Sequence, residues 1–479
     1  MPRPGVDVSI VDVPAPVSIP TDTGISFIVG ETDRGPLNAT LVQSLSAFTT
    51  IYGPRTTYSL LFDAVETFYK EGGYSAYIAR VVGPAATVGS LNLLDGSAAI
   101  SLVASANGPG AWSSNYKVGV VAGSVSGTFV IQVTDAGNEV LEDSGDLGTQ
   151  GAAVQWSLYS NYIRLTAGAS ALNPAPAAPT ALSAGTDDRA NITDAQWKSA
   201  LDAFSKDLGP GQVIAPGRTT DVGHNQIEDH ASLNNRVALL DLPDSPTAAT
   251  LLASAAAARG GGQRFGASFA PWLVVPGVVL GTVRVVPPSG AVAGLIARND
   301  NTLGVNRPSA GNAGSLRTAI GLSQPAWDDA TRESLNAGSV NVIRTMFNGI
   351  RVYGWRSLVN ASTDSNWVNF ANSRLIIQLK AELDEVGENF VFSEIDGQNG
   401  ITITSFNGGL TGVLLGHFLS GELFGDTPGQ AFIVDTGPTV NTLETIANGE
   451  LHAVCQVKLS PFAEWVVIQI VKRQVTEVF

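Results

Sequence analysis

GISFIVGETDRGPLNATLVQSLSAFTTIYG, residues 24–53, decides the fold class. Its first apolar run, 25–29, has the length of one strand, while residues 44–51 have helical spacing and stop at Gly53-Pro54. A second helix follows at once. Leu60, Leu61, Ala64, Val65, Phe68 and Tyr69 form an apolar stripe, Gly72-Gly73 ends it, and residues 76–82 supply the next strand. Strand, helix, helix, strand is α/β rhythm, and it returns later in the chain. Strands at 212–215, 236–242 and 265–269 alternate with helices at 225–234 and 247–259, the layout of a mostly parallel sheet. Thr193 and Gln196 make a capping box before the helix carrying Trp197, Leu201 and Phe204.

Toward the N-terminus, Val6, Val8 and Ile10 alternate with Asp7 and Ser9 on a short strand. Pro14, Pro16 and Pro20 then impose an extended tether of about 3.1 Å per residue. Such a strand cannot satisfy its own backbone and must pair with a sheet. Between 83 and 185 the rhythm changes to short apolar runs at 116–121, 128–133 and 156–165, which predict an inserted β-rich domain. Residues 173–179, NPAPAAP, read as a stiff linker back to the core. Beyond a long helix at 365–386, residues 390–392, 400–404 and 430–434 look strand-like. Two β-rich runs, 454–459 and 465–471, flank Pro461 near the close.

The expected organisation is an N-terminal arm over 1–20, an α/β core over 21–84 with 190–345, an inserted β-rich surface domain over 85–189, a C-terminal domain over 346–459 and a C-terminal arm over 460–479. The fold class is thus α/β (α+β) and multidomain. The most apolar stretch, 269–286, is broken by Pro271, Pro276, Gly277, Gly281 and Arg284, so it reads as buried strands and turns and no membrane insertion is expected.

In 479 residues, 44% hydrophobic and 14% charged, a surface so poor in charge is expected to meet other protein. The net charge of −15 opposes contact with phosphate backbones, so no nucleic-acid partner is expected. A lone Cys455 excludes an intrachain disulfide and a multi-thiolate zinc site. Met1-Pro2-Arg3-Pro4-Gly5 is not followed by an apolar block, so no ordinary signal peptide is expected, and the product is expected in the cytoplasm.

Residues 30–36 after the first strand, GETDRGP, lack the glycine spacing of a phosphate-binding loop, and no Walker or G-x-G-x-x-G motif follows any candidate strand. His224, His230, His417 and His452 have no metal-ligand spacing. Asp187-Asp188, Asp328-Asp329 and Asp384-Glu385 are sequence neighbours that point apart, which suits caps and solvated faces better than acid/base pairs. No serine occupies a G-x-S-x-G elbow. No catalytic, cofactor or metal site is expected; an oligomeric α/β enzyme is the competing reading.

Several stretches together resemble the contractile tail sheath family of tailed phages and related bacterial injection particles. PGVDVSIVDVPAP (4–16), the 24–53 stretch and FYKEGGYSAYIARVV (68–82) resemble its N-terminal arm and first domain. NNRVALLDLP (234–243), APWLVV (270–275) and VVPPSGAVAGLIARNDNTLGVNRPSAGN (285–312) resemble its central block, with the Pro-Pro-Ser-Gly turn at 287–290. LNAGSVNVIRTMFNGIRVYGWRSL (335–358) resembles the next, carrying Asn336, Asn341, Arg344 and Gly354-Trp355-Arg356 in order. Asn306-Arg307 depart from an aromatic-basic pair, and 83–185 has no counterpart.

The resemblance implies a structural subunit, not an enzyme, that polymerises helically around a tube and contracts to drive it through a cell envelope. Its partners would be further copies of itself, a tail tube protein, and baseplate and tail terminator proteins. It would sit in a virion tail assembled in the host bacterial cytoplasm, or in the sheath of a bacterially encoded injection particle. The implied connectors are terminal strands added to neighbours' sheets, here residues 5–13 with Val6, Val8 and Ile10, and 463–472 with Trp465, Val467, Ile468 and Ile470.

Overall fold

The computed structural model describes residues 21–398 and 400–464. At its centre lies an eight-stranded sheet. Six strands run parallel, in the spatial order Ala76–Arg80, Ser26–Gly30, Gln212–Ile214, Val237–Asp241, Gly266–Ala270, Val340–Met346. Antiparallel edge strands close it, Thr40–Val42 beside Ala76–Arg80 and Gly349–Val352 beside Val340–Met346. Ser26–Gly30, Val237–Asp241 and Gly266–Ala270 are buried along their whole length, as strands covered on both faces must be. The α/β rhythm of 24–82 and 212–270 is thus the rhythm of this sheet, and Thr193 and Gln196 form the capping box their spacing predicts.

The 287–290 turn has a physical reason. Ser289 opens the helix Ser289–Leu303, and its N–H and hydroxyl both donate to Asp241 at the end of a sheet strand, at 2.8 and 2.7 Å. Asp241 also accepts from Gly217 N–H at 3.0 Å. Burial nevertheless pushes its carboxyl up to about 6. Gly290 and, one turn on, Gly294 bring this helix onto Leu61–Glu71 with no room for a Cβ. A methyl group would lie 2.5 Å from Ala64 O at Gly290 and 2.3 Å from Phe68 O at Gly294. We expect Gly294→Leu to lower the unfolding free energy by about 3 kcal/mol, because backbone rather than a yielding side chain blocks the new atoms. Denaturant unfolding reads this directly, and an unchanged midpoint would refute the packing argument.

The inserted segment builds two sheets, one of Ala177–Ala181, Lys117–Ala122, Phe129–Thr134 and Val140–Asp143, the other of Ser90–Leu94, Ile100–Ala106 and Ile163–Ala167. They share a core that includes Leu102, Trp112, Ile131, Val133 and Ile163. Two sequence readings change here. Residues 173–179 do not form a free linker, since Ala177–Ala181 is an edge strand on Lys117–Ala122 whose register shifts between Ala177 and Thr180, and Pro179 falls inside that irregularity. Residues 156–165 are not one strand, because Thr149 caps a helix Gln150–Ser157 and the strand begins only at Ile163. Arg80 seats the insertion on the core, donating to Gly35 O at 3.2 Å and Pro109 O at 2.6 Å. Arg34 stacks beside Tyr116 and Tyr162.

The described residues divide into two compact units within the helix Phe370–Glu388, one ending at Ala381 and the other starting at Glu382. The boundary expected at 345/346 lies inside the first unit, where Trp355 packs edge-on to both Phe269 and Phe370. In the second unit, the expected strand at 400–404 is instead the start of a helix, Ile401–Leu419. ITIT alternates like a strand, but the Asp396 carboxylate accepts from Ile401 N–H at 2.8 Å and Thr402 N–H at 3.2 Å and caps the helix from outside. Residues 390–392 lie in the turn between the two helices. Of the expected run 430–434, a short helix takes Pro428–Ala431 and the strand is Phe432–Asp435.

Candidate functional site

In the unit that starts at Glu382, Phe432–Asp435 pairs antiparallel with Val454–Val457, with Val434 opposite Cys455. Phe432 and Val434 turn inward, and Asn407 of the helix Ile401–Leu419 donates to Val434 O at 3.2 Å, holding the ribbon on its support. Between the strands the chain makes a long excursion that Asn441 staples. Its amide donates to Thr436 O at 2.9 Å and His452 O at 2.8 Å, and its carbonyl accepts from His452 N–H at 2.8 Å.

Among the described residues this sheet has only these two strands, and its outward face carries Ile433, 54% exposed, and Val454, 44% exposed. A two-stranded ribbon is marginal in water by itself. Exposed apolar side chains on a sheet of only two strands suit an added strand, although Asp435 and Gln456 share that face. The helix behind buries Ile403, Phe406, Leu410 and Leu414 and carries Ile401, Leu415 and Leu419 into solvent.

The ribbon's continuation is pinned. Phe424 N–H donates to Lys458 O at 2.7 Å and Ser460 N–H to Glu422 O at 3.0 Å, so the chain leaves toward 465–479 from a fixed point. Beneath that point His417 is held on both ring nitrogens, Nε2 by Glu382 at 2.7 Å and Nδ1 by Glu422. Burial alone would lower its pKa, but the two carboxylates overcome it and hold the imidazole at about 9. The ring is therefore cationic at neutral pH. Because the folded pKa lies above the unfolded one, the clamp's contribution is complete below about 6.5 and is lost as pH rises through 9. We expect the thermal midpoint of the full chain to fall as pH rises from about 6.5 to 9, and His417→Gln to lose most of that dependence. An unchanged slope in the variant would show that other groups set it.

A second place was a candidate on topology. Numbered along the chain, the six parallel strands lie in the order 2-1-3-4-5-6, and such sheets bind ligands where the order reverses, at the strands' carboxyl ends. A cleft of about 310 Å³ sits there, walled by Gly30, Glu31, Tyr58, Arg218 and Thr220 among others. Its charged groups are paired within the chain. Arg189 pairs with Glu31 at 2.8 Å and covers the Tyr58 ring, while Arg218 pairs with Asp194 at 2.5 Å over Trp197. Thr220 caps its own helix through Gly223 N–H at 3.1 Å, so the helix start is already capped from within.

Val6, Val8, Ile10, Trp465, Val467, Ile468 and Ile470 lie outside the described residues. The four histidines are dispersed: His224 Nε2 lies 3.0 Å from Asp241 O, His230 Nε2 lies 2.9 Å from Arg236, and His452 pairs with Glu450. Among the described residues no group of three or more His, Cys, Asp or Glu could hold a metal ion, and no helix is long and apolar enough to cross a membrane. The ribbon's open edge was not singled out from sequence; FIVD at 432–435 and VCQV at 454–457 are the runs that could have marked it.

No protein-family model and no curated protein sequence matches the chain. Solved structures do. The contracted helical sheath of the anti-feeding prophage aligns at TM-score 0.56 and 15% identity over 99% of this chain and 100% of that one. The contracted sheath complex of the extracellular contractile injection system PVC aligns at TM-score 0.57 and 14% identity over 99% and 98%. A sheath tail protein from Listeria innocua aligns at TM-score 0.62 and 11% identity over 91% and 95%. At these identities the likeness is one of fold, and it runs nearly end to end.

Proposed function

We propose that the chain is the repeating subunit of a contractile sheath, built around a tube and anchored between a baseplate and a terminator. The observation that carries this reading is the end-to-end correspondence of a two-unit architecture to sheath chains, with 99% of this chain aligned to the anti-feeding prophage sheath. The open ribbon of 432–435 and 454–457 supports it as the acceptor for terminal strands of neighbouring copies. Residues 5–13 and 463–472 are the donors, and the insertion 85–189 decorates the outside. Contacts of this kind are heterologous and do not close, so they generate a helix. Contraction would then be a rearrangement of rigid cores held in a strand mesh, with the energy stored at assembly.

The likeness to the sheath of an extracellular contractile injection system favours a bacterially encoded particle as a second reading beside a phage tail. The deciding experiment is negative-stain microscopy of the purified full chain. Hollow cylinders of uniform diameter are expected, and a chain that stays monomeric at high concentration and moderate salt would refute the proposal.

A further inference from the structure

Leu280 stands wholly in solvent, 101% exposed, at the tip of the hairpin that joins Leu273–Pro276 to Val283–Val286. Val278, Val279, Val283 and Val285 are exposed beside it. The sequence reading of 269–286 as buried strands and turns is therefore half right, since the strands form but their distal half is uncovered. Nor is the hairpin a loose loop. Gly277 N–H donates to Thr282 O at 2.7 Å, Thr282 N–H to Val279 O at 3.1 Å, and Gly281 takes the left-handed φ of 82° the turn needs. At its base Arg284 is tied to Asp63 and Glu66 of the helix Leu61–Glu71. Val283–Val286 is also an outer strand of its three-stranded sheet. A rigid apolar knob with a free strand edge is an aggregation hazard unless something covers it.

The same chain carries a matching hollow. In the unit starting at Glu382, a groove of about 570 Å³ is walled by Phe390, Phe392, Ile395, Phe406, Ile446 and Leu451, with no charged side chain among the described residues that line it. Three other clefts all carry charge: Arg332 and Arg344 in one, Glu31 and Arg218 in the second, Glu66, Lys70, Arg284 and Arg317 in the third. At the groove, Phe392 is 104% exposed and held at a φ of 63°, a conformation costly for an aromatic residue and kept where a surface has work to do.

Charge selects the occupant. Two copies of a chain with net charge −15 repel unless they meet through uncharged surfaces, and the tip residues 277–282 carry no charge, like the groove. We propose that the 273–286 hairpin of one copy seats its tip in the 390–451 groove of the next. This knob-in-hollow contact is heterologous and adds a core-to-core link to the polymer proposed above, on which it rests.

The test uses the full chain with Cys455→Ser. Leu280→Cys and Ile395→Cys placed in one chain are expected to give a ladder of disulfide-linked multimers when assembled cylinders are oxidised. Mixing the two single variants should give dimers only. Leu280→Asp is expected to raise the concentration needed for assembly at least tenfold with an unchanged circular dichroism spectrum, and Ile395→Lys in the partner position should restore part of it. Wild-type cylinders alongside an unlinked cysteine pair and a normally assembling Leu280→Asp variant would overturn the seat alone. Failure of the wild-type chain to polymerise would overturn the polymer reading, and the seat with it.

Discussion

Replacing Arg374 by leucine should lower the unfolding free energy of the first unit by about 3–5 kcal/mol. Arg374 is completely buried and meets Asp300 through two parallel hydrogen bonds, at 2.8 and 2.5 Å. Thr23 donates to the same carboxylate at 3.0 Å, so the pair joins the helices Phe370–Glu388 and Ser289–Leu303 to the segment entering the first strand. Removing only the cation leaves Asp300 desolvated and charged with a single hydroxyl donor, which is the costly way to break a buried pair. Asp300→Asn combined with Arg374→Leu should recover part of the loss, since no buried charge then remains. A single variant as stable as the wild type in chemical denaturation would show that the pair contributes little.

Arg374 also shows where reading the sequence stops. A strand such as 25–29 announces itself through its own neighbours, and so does the helical stripe of 60–69. Arg374, by contrast, takes its meaning from a carboxylate 74 positions away, and His417 from Glu382, 35 positions away. Nothing local marks either residue as buried. The strand-like reading of 400–404 failed for a related reason, since Asp396 decides the helix start from outside the alternating ITIT run. The 173–179 stretch reads as a stiff spacer by composition, and the sheet on Lys117–Ala122 recruits its end as an edge strand. In 269–286, hydropathy records only that the side chains avoid water, and it is silent on whether their own chain or another covers them. The Pro-Pro-Ser-Gly turn was legible as a motif, while its cause, Asp241 receiving Ser289, was not.

Deleting residues 1–14 should abolish cylinders while leaving the thermal transition of the folded units unchanged, and deleting residues 1–4 alone should be tolerated. The proposed donor comes from the sequence and the proposed acceptor is the two-stranded ribbon. In the sequence, Val6, Val8 and Ile10 alternate with Asp7 and Ser9 ahead of Pro14, Pro16 and Pro20, a pattern that predicts a tethered strand, and the two-stranded ribbon of 432–435 and 454–457 exposes Ile433 and Val454 on its outer face. Burying three such side chains contributes about 1.5–3 kcal/mol each, and each main-chain hydrogen bond adds roughly 0.5–1.5 kcal/mol. A term of that size recurs at every subunit of a helical polymer, whereas an isolated chain gains nothing from it. The acceptor can be attacked separately: Ile433→Lys places a charge on the outward face without touching Phe432 or Val434, which face the supporting helix. Both variants should remain soluble, sediment as single chains and show the wild-type circular dichroism spectrum. Normal cylinders from the 1–14 deletion at wild-type concentration would show that the arm is not the connector and that core faces alone hold the subunits together.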